Sequence, residues 1–217
     1  MGAERPKQYL PLAGRPLLLH TLDRLLAAPR VAGLVLALRA DDPHWPGIGF
    51  TSDKPLHRVT GGASRAASVL AALEHLAQIA PPDAPVLVHD AVRPLLHASD
   101  IERLCGDDLD EHGCLLATPL TDTVKRADAD GRIAETVPRD GLWAVQTPQR
   151  FRVGVLRAAL ERALAAGSEP TDEAQAMEGA GYRPRLVPGR RDNIKITEPQ
   201  DLPLAECLLA AQEREAI

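Results

Sequence analysis

Asp90 and Arg93 are where residue type and context in this sequence most invite chemistry. They follow the apolar run Val86-Leu87-Val88-His89 and precede Pro94. An aspartate can take a hard cation or a ribose hydroxyl. An arginine offers a planar fork that matches phosphate oxygens. Pro94 cannot donate to a strand ladder, so the strand should end here. In open α/β sheets, ligands bind beyond the carboxyl ends of strands. An Asp–Arg surface pair at a turn fits the same residues, and residue type alone leaves the two readings evenly matched.

A second candidate is Gly61-Gly62-Ala63-Ser64-Arg65-Ala66-Ala67-Ser68, which joins a strand pattern to a helical one. Two glycines let the backbone approach a ligand, and a helix start can hold an anion or a base edge. A plain structural turn explains the glycines equally well. Only four of the 25 basic residues are lysines: Lys7, Lys54, Lys125 and Lys195. A lysine in such a chain hints at a place where a compact, mobile ammonium is wanted. Thr121-Asp122-Thr123 and Arg139-Asp140-Gly141 lie at the two ends of a polar segment, and Thr147-Pro148-Gln149 and Thr171-Asp172-Glu173 precede helical patterns. For Thr147 and Thr171 helix capping is the plainer role. His89 reads as a packed strand residue, because no second His or Cys stands at ligand spacing to it. No nucleophile elbow, metalloprotease helix or Walker motif is present.

Helices and strands must bring these residues together. Pro16 can open a helix with Leu18, Leu22, Leu25 and Leu26 on one face. Leu34 to Leu38, Val86 to Val88, Cys114 to Ala117, Trp143 to Val145 and Arg185 to Val187 read as strands. Ser64 should start one helix, and Val155 to Leu164, closed by Gly167, forms another. Ser99-Asp100-Ile101-Glu102 and Thr197-Glu198-Pro199-Gln200 have the form of capping boxes. Strands alternating with helices imply an open, mostly parallel sheet covered by helices. The segment 118–142 differs: it is polar, with Asp128-Ala129-Asp130-Gly131 as a hairpin tip. A two-stranded arm cannot bury a face alone, so a second subunit is its natural support.

The 217 residues carry a formal net charge of −5, which argues against broad nucleic-acid binding. Aromatics make up 3% of the chain, so Leu, Val and Ala must fill the core. Cys105, Cys114 and Cys207 lack metal-ligand spacing and suit a reducing compartment. No apolar run reaches the ~18 residues of a membrane span, and Met1 to Gln8 is unlike a signal peptide. The expected location is the cytoplasm.

Taken in order, Pro6-Lys7-Gln8-Tyr9-Leu10, Gly61-Gly62 with Ser68, Val86 to Pro94, Asp122-Thr123, Arg139 with Gly141-Leu142-Trp143, Thr147-Pro148-Gln149, Thr171-Asp172-Glu173-Ala174 and Asp192-Asn193-Ile194-Lys195 resemble the 2-C-methyl-D-erythritol 4-phosphate cytidylyltransferase family of non-mevalonate isoprenoid biosynthesis. The resemblance covers nearly the whole chain. It implies a Rossmann-like nucleotidyltransferase domain spanning 1–217, an α/β fold with a mostly parallel sheet, helices on both faces and a protruding β-arm at 118–142. It also implies transfer of CMP from CTP to the 4-phosphate of methylerythritol phosphate, with release of pyrophosphate and Mg²⁺ bridging triphosphate oxygens. By resemblance, Lys7 and Lys195 neutralise charge at the α-phosphate. Gly62, Ala63 and Ser68 face the cytosine, while Asp90 and Ala91 hold the ribose. Asp90 also lies near substrate or metal. Arg93, Thr123, Arg139, Thr147, Thr171 and Lys195 surround the sugar phosphate. The arm crosses to the other subunit, giving a homodimer with shared sites.

The chain departs from the family pattern at two places. Ala63 stands where some relatives carry an acidic residue. The family also opens with a strand and a Gly-rich loop ending in Arg, ahead of the part that matches Met1 to Lys7. A buried strand contributes on the order of 10 kcal/mol, comparable with the whole stability of a domain. The expectation is that Met1 is internal and that the native start lies roughly 20 residues upstream. Two rival readings are a cytidylyltransferase for another polyol phosphate, such as ribitol 5-phosphate, and a non-catalytic relative that binds nucleotide.

Overall fold

Short sequence signals set most element boundaries in the computed structural model, which describes residues 6–106 and 111–215. The expectation about Met1 and the last two residues of the tail lie outside the described residues. In chain order the elements are β1 (Pro11–Leu12), β2 (Arg15–Pro16), α1 (Leu17–Ala27), β3 (Leu34–Leu38), β4 (Leu56–Thr60), α2 (Arg65–Ile79), β5 (Pro85–Val88), α3 (Ala98–Leu104), β6 (Cys114–Pro119), β7 (Val124–Ala127), β8 (Ile133–Val137), β9 (Trp143–Arg152), α4 (Val153–Ala165), α5 (Glu173–Gly179), β10 (Arg185–Pro188) and α6 (Asp201–Glu215).

Caps explain several of the helix starts. The Ser64 hydroxyl accepts from Ala67 N at 3.2 Å and opens α2. Asp172, rather than Thr171, caps α5 by accepting from Gln175 N at 2.9 Å. Two expected boxes are read differently by the structure. His97 caps α3 through Nδ1, so Ser99 falls inside the helix. The last helix starts at Asp201, whose carboxylate reaches back to the N–H groups of Thr197 and Glu198. In both cases a nearby side chain competes successfully for the same orphan donors.

The main sheet has the order β10-β6-β9-β5. β10 runs parallel to β6, whereas β9 runs antiparallel to both β6 and β5. β3 and β4 form a separate parallel pair in register from Leu34↔Leu56 to Leu38↔Thr60. Side chains alternate between two faces, as strand geometry demands. Leu115 and Phe151 enter a core with Leu73 of α2, Leu156 and Leu160 of α4 and Met177 of α5. Leu116 and Val187 enter the opposite core with Leu25 of α1 and Ile101 and Leu104 of α3. Helices therefore cover both faces. That second core also holds Leu34 of β3 and Leu87 of β5, so shared helices join the two sheets. A third cluster packs Leu12, Leu17, Leu95, Ile196 and Leu209, anchoring α6 and the strap before it.

β7 and β8 pair antiparallel with each other and are mostly exposed. Their connection folds as expected: Gly131 has φ +77° and its N–H donates to Asp128 O at 3.2 Å. Among the described residues, no helix is long and apolar enough to cross a membrane.

Candidate active site

The end of β5 is held open by a small hydrogen-bond chain. Asp90 N donates to the Thr147 hydroxyl oxygen at 3.0 Å. Thr147 Oγ1 lies 3.0 Å from His89 Nδ1, and His89 Nε2 lies 3.1 Å from Arg93 O. One proton assignment satisfies all three contacts: Thr147 donates to Nδ1 and His89 donates from Nε2. This requires a neutral imidazole. Burial supplies it, pushing His89 down to about 4 against the smaller opposing effect of its hydrogen bond to Arg93. His89 is thus a packed strand-end residue, as its lack of ligand partners implied.

Thr147 reaches β5 because β9 is irregular there. Leu115 pairs with Gln149 and Ala117 with Val145, so Gln146, Thr147 and Pro148 bulge from the ladder. A bulge re-aims side chains, and Pro148 has no N–H to keep the ladder intact. Thr147 is therefore a strand residue facing a pocket, and the helix-cap role does not apply. Gln149, fully buried, donates to Asp172 Oδ2 and accepts from Ala174 N, both at 2.9 Å. It fixes the start of α5 and with it Thr171.

Asp90 lies among three cations. Arg65 Nε and Nη2 approach Oδ1 at 3.2 and 3.1 Å. Lys195 Nζ lies 2.8 Å from Oδ2, and Arg93 Nε lies 3.7 Å from it. Burial would raise the Asp90 carboxyl, but the Lys195 hydrogen bond and the three positive charges outweigh it and hold it below the usual carboxylate range. The carboxylate is only 10% exposed, which removes the surface-pair reading. Arg93 Nη1 donates to Asn193 O at 2.7 Å, while Asn193 Nδ2 donates to Thr147 O at 2.9 Å. Ile196 N donates to Val92 O at 2.9 Å and its side chain is buried. Lys195 is thus aimed by anchored neighbours on both sides.

These side chains line a cavity of about 220 Å³ that gathers Arg65, Asp90, Arg93, Thr147, Thr171 and Lys195. A larger groove of about 730 Å³ beside Trp45, Phe50 and Arg58 holds Lys54 but none of the residues expected at the site, so size does not identify it. Five expected residues, Lys7, Gly62, Ala63, Ser68 and Ala91, lie on segments next to those that line the cavity. Ser68 Oγ accepts from Gly62 N at 3.1 Å, closing the turn that holds Ala63 and delivers Arg65. Lys7 Nζ donates to Thr197 O at 2.8 Å, two residues beyond Lys195. The Ala91 carbonyl accepts from the Thr21 hydroxyl at 3.0 Å. Thr123 and Arg139 are not brought to this cavity; they sit on the exposed hairpin side, where Arg139 donates to Thr121 O.

Sequence reasoning assigned no role to Arg65, Gln149, Glu173 or Asn193. Arg65 Nη1 and Nη2 meet Glu173 Oε1 and Oε2 at 2.6 and 3.1 Å, and Glu173 is 1% exposed. The signal in the sequence is the Arg of Gly-Gly-Ala-Ser-Arg, at the helix start that follows the glycine turn. Chemically, the cavity can bind and orient phosphate oxygens. Among the described residues that line it, it offers cations and hydroxyl donors, and its two carboxylates, Asp90 and Asp172, are engaged at both oxygens. Among the described residues, no group of three or more His, Cys, Asp or Glu could hold a metal.

The sequence profile of the 2-C-methyl-D-erythritol 4-phosphate cytidylyltransferase family matches residues 1–211. A cytidylyltransferase of that name from Halorhodospira halophila is 54% identical over 217 residues, covering 97% of this chain and 88% of that protein. One from Pseudomonas aeruginosa is 52% identical, covering 93% of this chain and 87% of that protein. The crystal structure of the Francisella tularensis enzyme superposes with a TM-score of 0.83 at 30% identity, covering 94% of each chain.

Proposed function

The chain belongs to the 2-C-methyl-D-erythritol 4-phosphate cytidylyltransferase family, and from that premise we propose that the cavity at the end of β5 is where it transfers CMP from CTP to the 4-phosphate of methylerythritol phosphate. A phosphate oxygen of the acceptor attacks the α-phosphorus, a new P–O bond forms, and the bond to the β-phosphate breaks with release of pyrophosphate. The observation that carries this reading is the ring of Arg65, Arg93 and Lys195 around Asp90, with the Thr147 and Thr171 hydroxyls beside it.

A phosphate monoester loses its second proton near pH 6 and is mostly dianionic at neutral pH. The nucleophile then needs no general base, in keeping with a site whose only histidine is neutral and engaged at both nitrogens. Catalysis is positioning plus charge neutralisation. Lys195 and Lys7 neutralise the α-phosphate. Arg93, Thr147 and Thr171 hold the acceptor phosphate. Gly62, Ala63 and Ser68 face the base, while Asp90 and Ala91 face the ribose.

Both Asp90 oxygens already face cations, so the residues do not fit a resident metal cage. A divalent cation, Mg²⁺ foremost, would come bound to the triphosphate and would supply charge neutralisation; Asp90 and Asp172 are the carboxylates that line the cavity. Thr123 and Arg139 complete the acceptor site from the 118–142 arm of a second copy, making a homodimer of single-domain subunits. The exposed apolar side chains of that region, Ile133 and Leu142, support an arm that docks elsewhere. The working location is the cytoplasm, where CTP is available.

The direct test is pyrophosphate release by the purified chain with CTP, Mg²⁺ and either methylerythritol phosphate or ribitol 5-phosphate. Turnover with methylerythritol phosphate should exceed that with ribitol 5-phosphate; the reverse order sinks the acceptor assignment.

A further inference from the structure

Arg65 lines the cavity, yet the transfer described above gives it no separate task. Its guanidinium makes four hydrogen bonds to two carboxylates. Nη1 and Nη2 take Glu173 end-on at 2.6 and 3.1 Å, and Nε with Nη2 takes Asp90 Oδ1 from the side at 3.2 and 3.1 Å. We propose that Arg65 is a positioning residue: it fixes the Asp90 carboxylate and locks the base-side turn of α2 to the acceptor-side start of α5 through Glu173. The role rests on the reading above that Asp90 faces substrate.

Placement in the fold supports this. Arg65 is the first residue of α2, one turn before Ser68, whose hydroxyl closes the Gly62 turn. Glu173 is the first residue of α5, two beyond Thr171. Arg65 is separated in sequence by 25 residues from Asp90 and by 108 from Glu173, so one side chain joins three distant chain segments. With Oδ1 held by Arg65, only Oδ2 remains for Lys195 and Arg93, which sets the rotation of the carboxylate and hence the position of the ammonium.

The chemistry fits a guanidinium and not an ammonium. A rigid fork can address two carboxylates in one plane, whereas lysine presents a point charge. The pair is also costly. Burial raises the Glu173 carboxyl, with Arg65 opposing that rise. A buried ion pair often adds no stability over an apolar pair of like volume, so geometry is the natural reason to keep this one.

The test is steady-state kinetics with CTP and methylerythritol phosphate on the full chain, with melting curves in parallel. Arg65→Gln alone strands the Glu173 charge in the interior and is expected to unfold more readily. The informative variant is Arg65→Gln/Glu173→Gln, which removes both charges. It should melt close to the parent protein while kcat/KM falls by about 100-fold for both substrates, the cost of a misplacement of about 1 Å. Arg65→Lys should restore less than about a tenth of the activity. A double variant with parental kcat and KM overturns the positioning role, because a purely structural pair loses nothing once stability returns. Asp90→Asn in the same assay separates this proposal from the reading beneath it. An impaired Asp90→Asn beside a fully active double variant removes the Arg65 role alone; a fully active Asp90→Asn removes both.

Discussion

At the scale of single residues, Asp90 sets the electrostatics of the cavity, and its protonation state is a stability term. The folded protein holds this carboxyl below its ordinary value, so as pH falls the unfolded chain takes up the proton first. Its contribution is therefore fully present above a pH of about 4 and is lost as pH drops through the folded value. Asp90→Asn removes the charge at nearly constant volume and leaves three cations facing one another. Urea unfolding at pH 7 should show a loss of about 3–5 kcal/mol, the cost of breaking a buried pair. The gap between the two proteins should narrow below pH 4; a gap that widens on acidification contradicts the assignment. Asp90 and Arg93 were legible in sequence because a strand pattern ended beside them and Pro94 marked the end. Arg65 and Glu173 were not, because a pair separated by 108 residues has no local signature. Each looked like a charge near a helix start.

At the scale of elements, close approach between backbone and ring shapes the start of β6. Gly113 has φ +78°, and a Cβ there would meet the Phe151 ring and the Arg150 carbonyl. Phe151 is fully buried in the core against Leu156, Leu160 and Met177, so neither partner can yield cheaply. Gly113→Ala should therefore cost about 2–3 kcal/mol, combining left-handed strain with overpacking. Denaturant melts should show a lower midpoint with an unchanged slope; an unchanged midpoint means that β6 and β9 tolerate separation. The apolar runs placed β3, β5, β6 and β10 well, and the Leu face of α1 was plain from its period. Sequence could not place the β9 bulge. Thr147-Pro148 resembled the approach to a helix, yet ladder registry with β6, a non-local property, decides that Thr147 turns toward Asp90. The same lesson applies to caps: His97 and Asp201 won over Ser99 and Thr197, because capping depends on which of several adjacent groups reaches the free N–H.

At the scale of the whole molecule, a chain of net charge −5 must receive two anionic substrates. It does so by placing Arg65, Arg93 and Lys195 at one strand end, where they outnumber the two carboxylates that line the cavity, Asp90 and Asp172. The β7–β8 hairpin raises the remaining question of where Thr123 and Arg139 act, since they lie away from that cavity within one chain. If the hairpin reaches a second copy related by two-fold symmetry, each site combines Asp90 from one subunit with Arg139 from the other. This gives a decisive mixing experiment. Asp90→Asn and Arg139→Ala, each inactive alone, are denatured together in equal amounts and refolded. Random pairing makes about half of the dimers mixed, and each mixed dimer holds one site with both native residues, so about a quarter of parental activity should return. If Arg139 served the site of its own chain, every site in the mixture would carry one of the two substitutions, and no activity would return at any ratio.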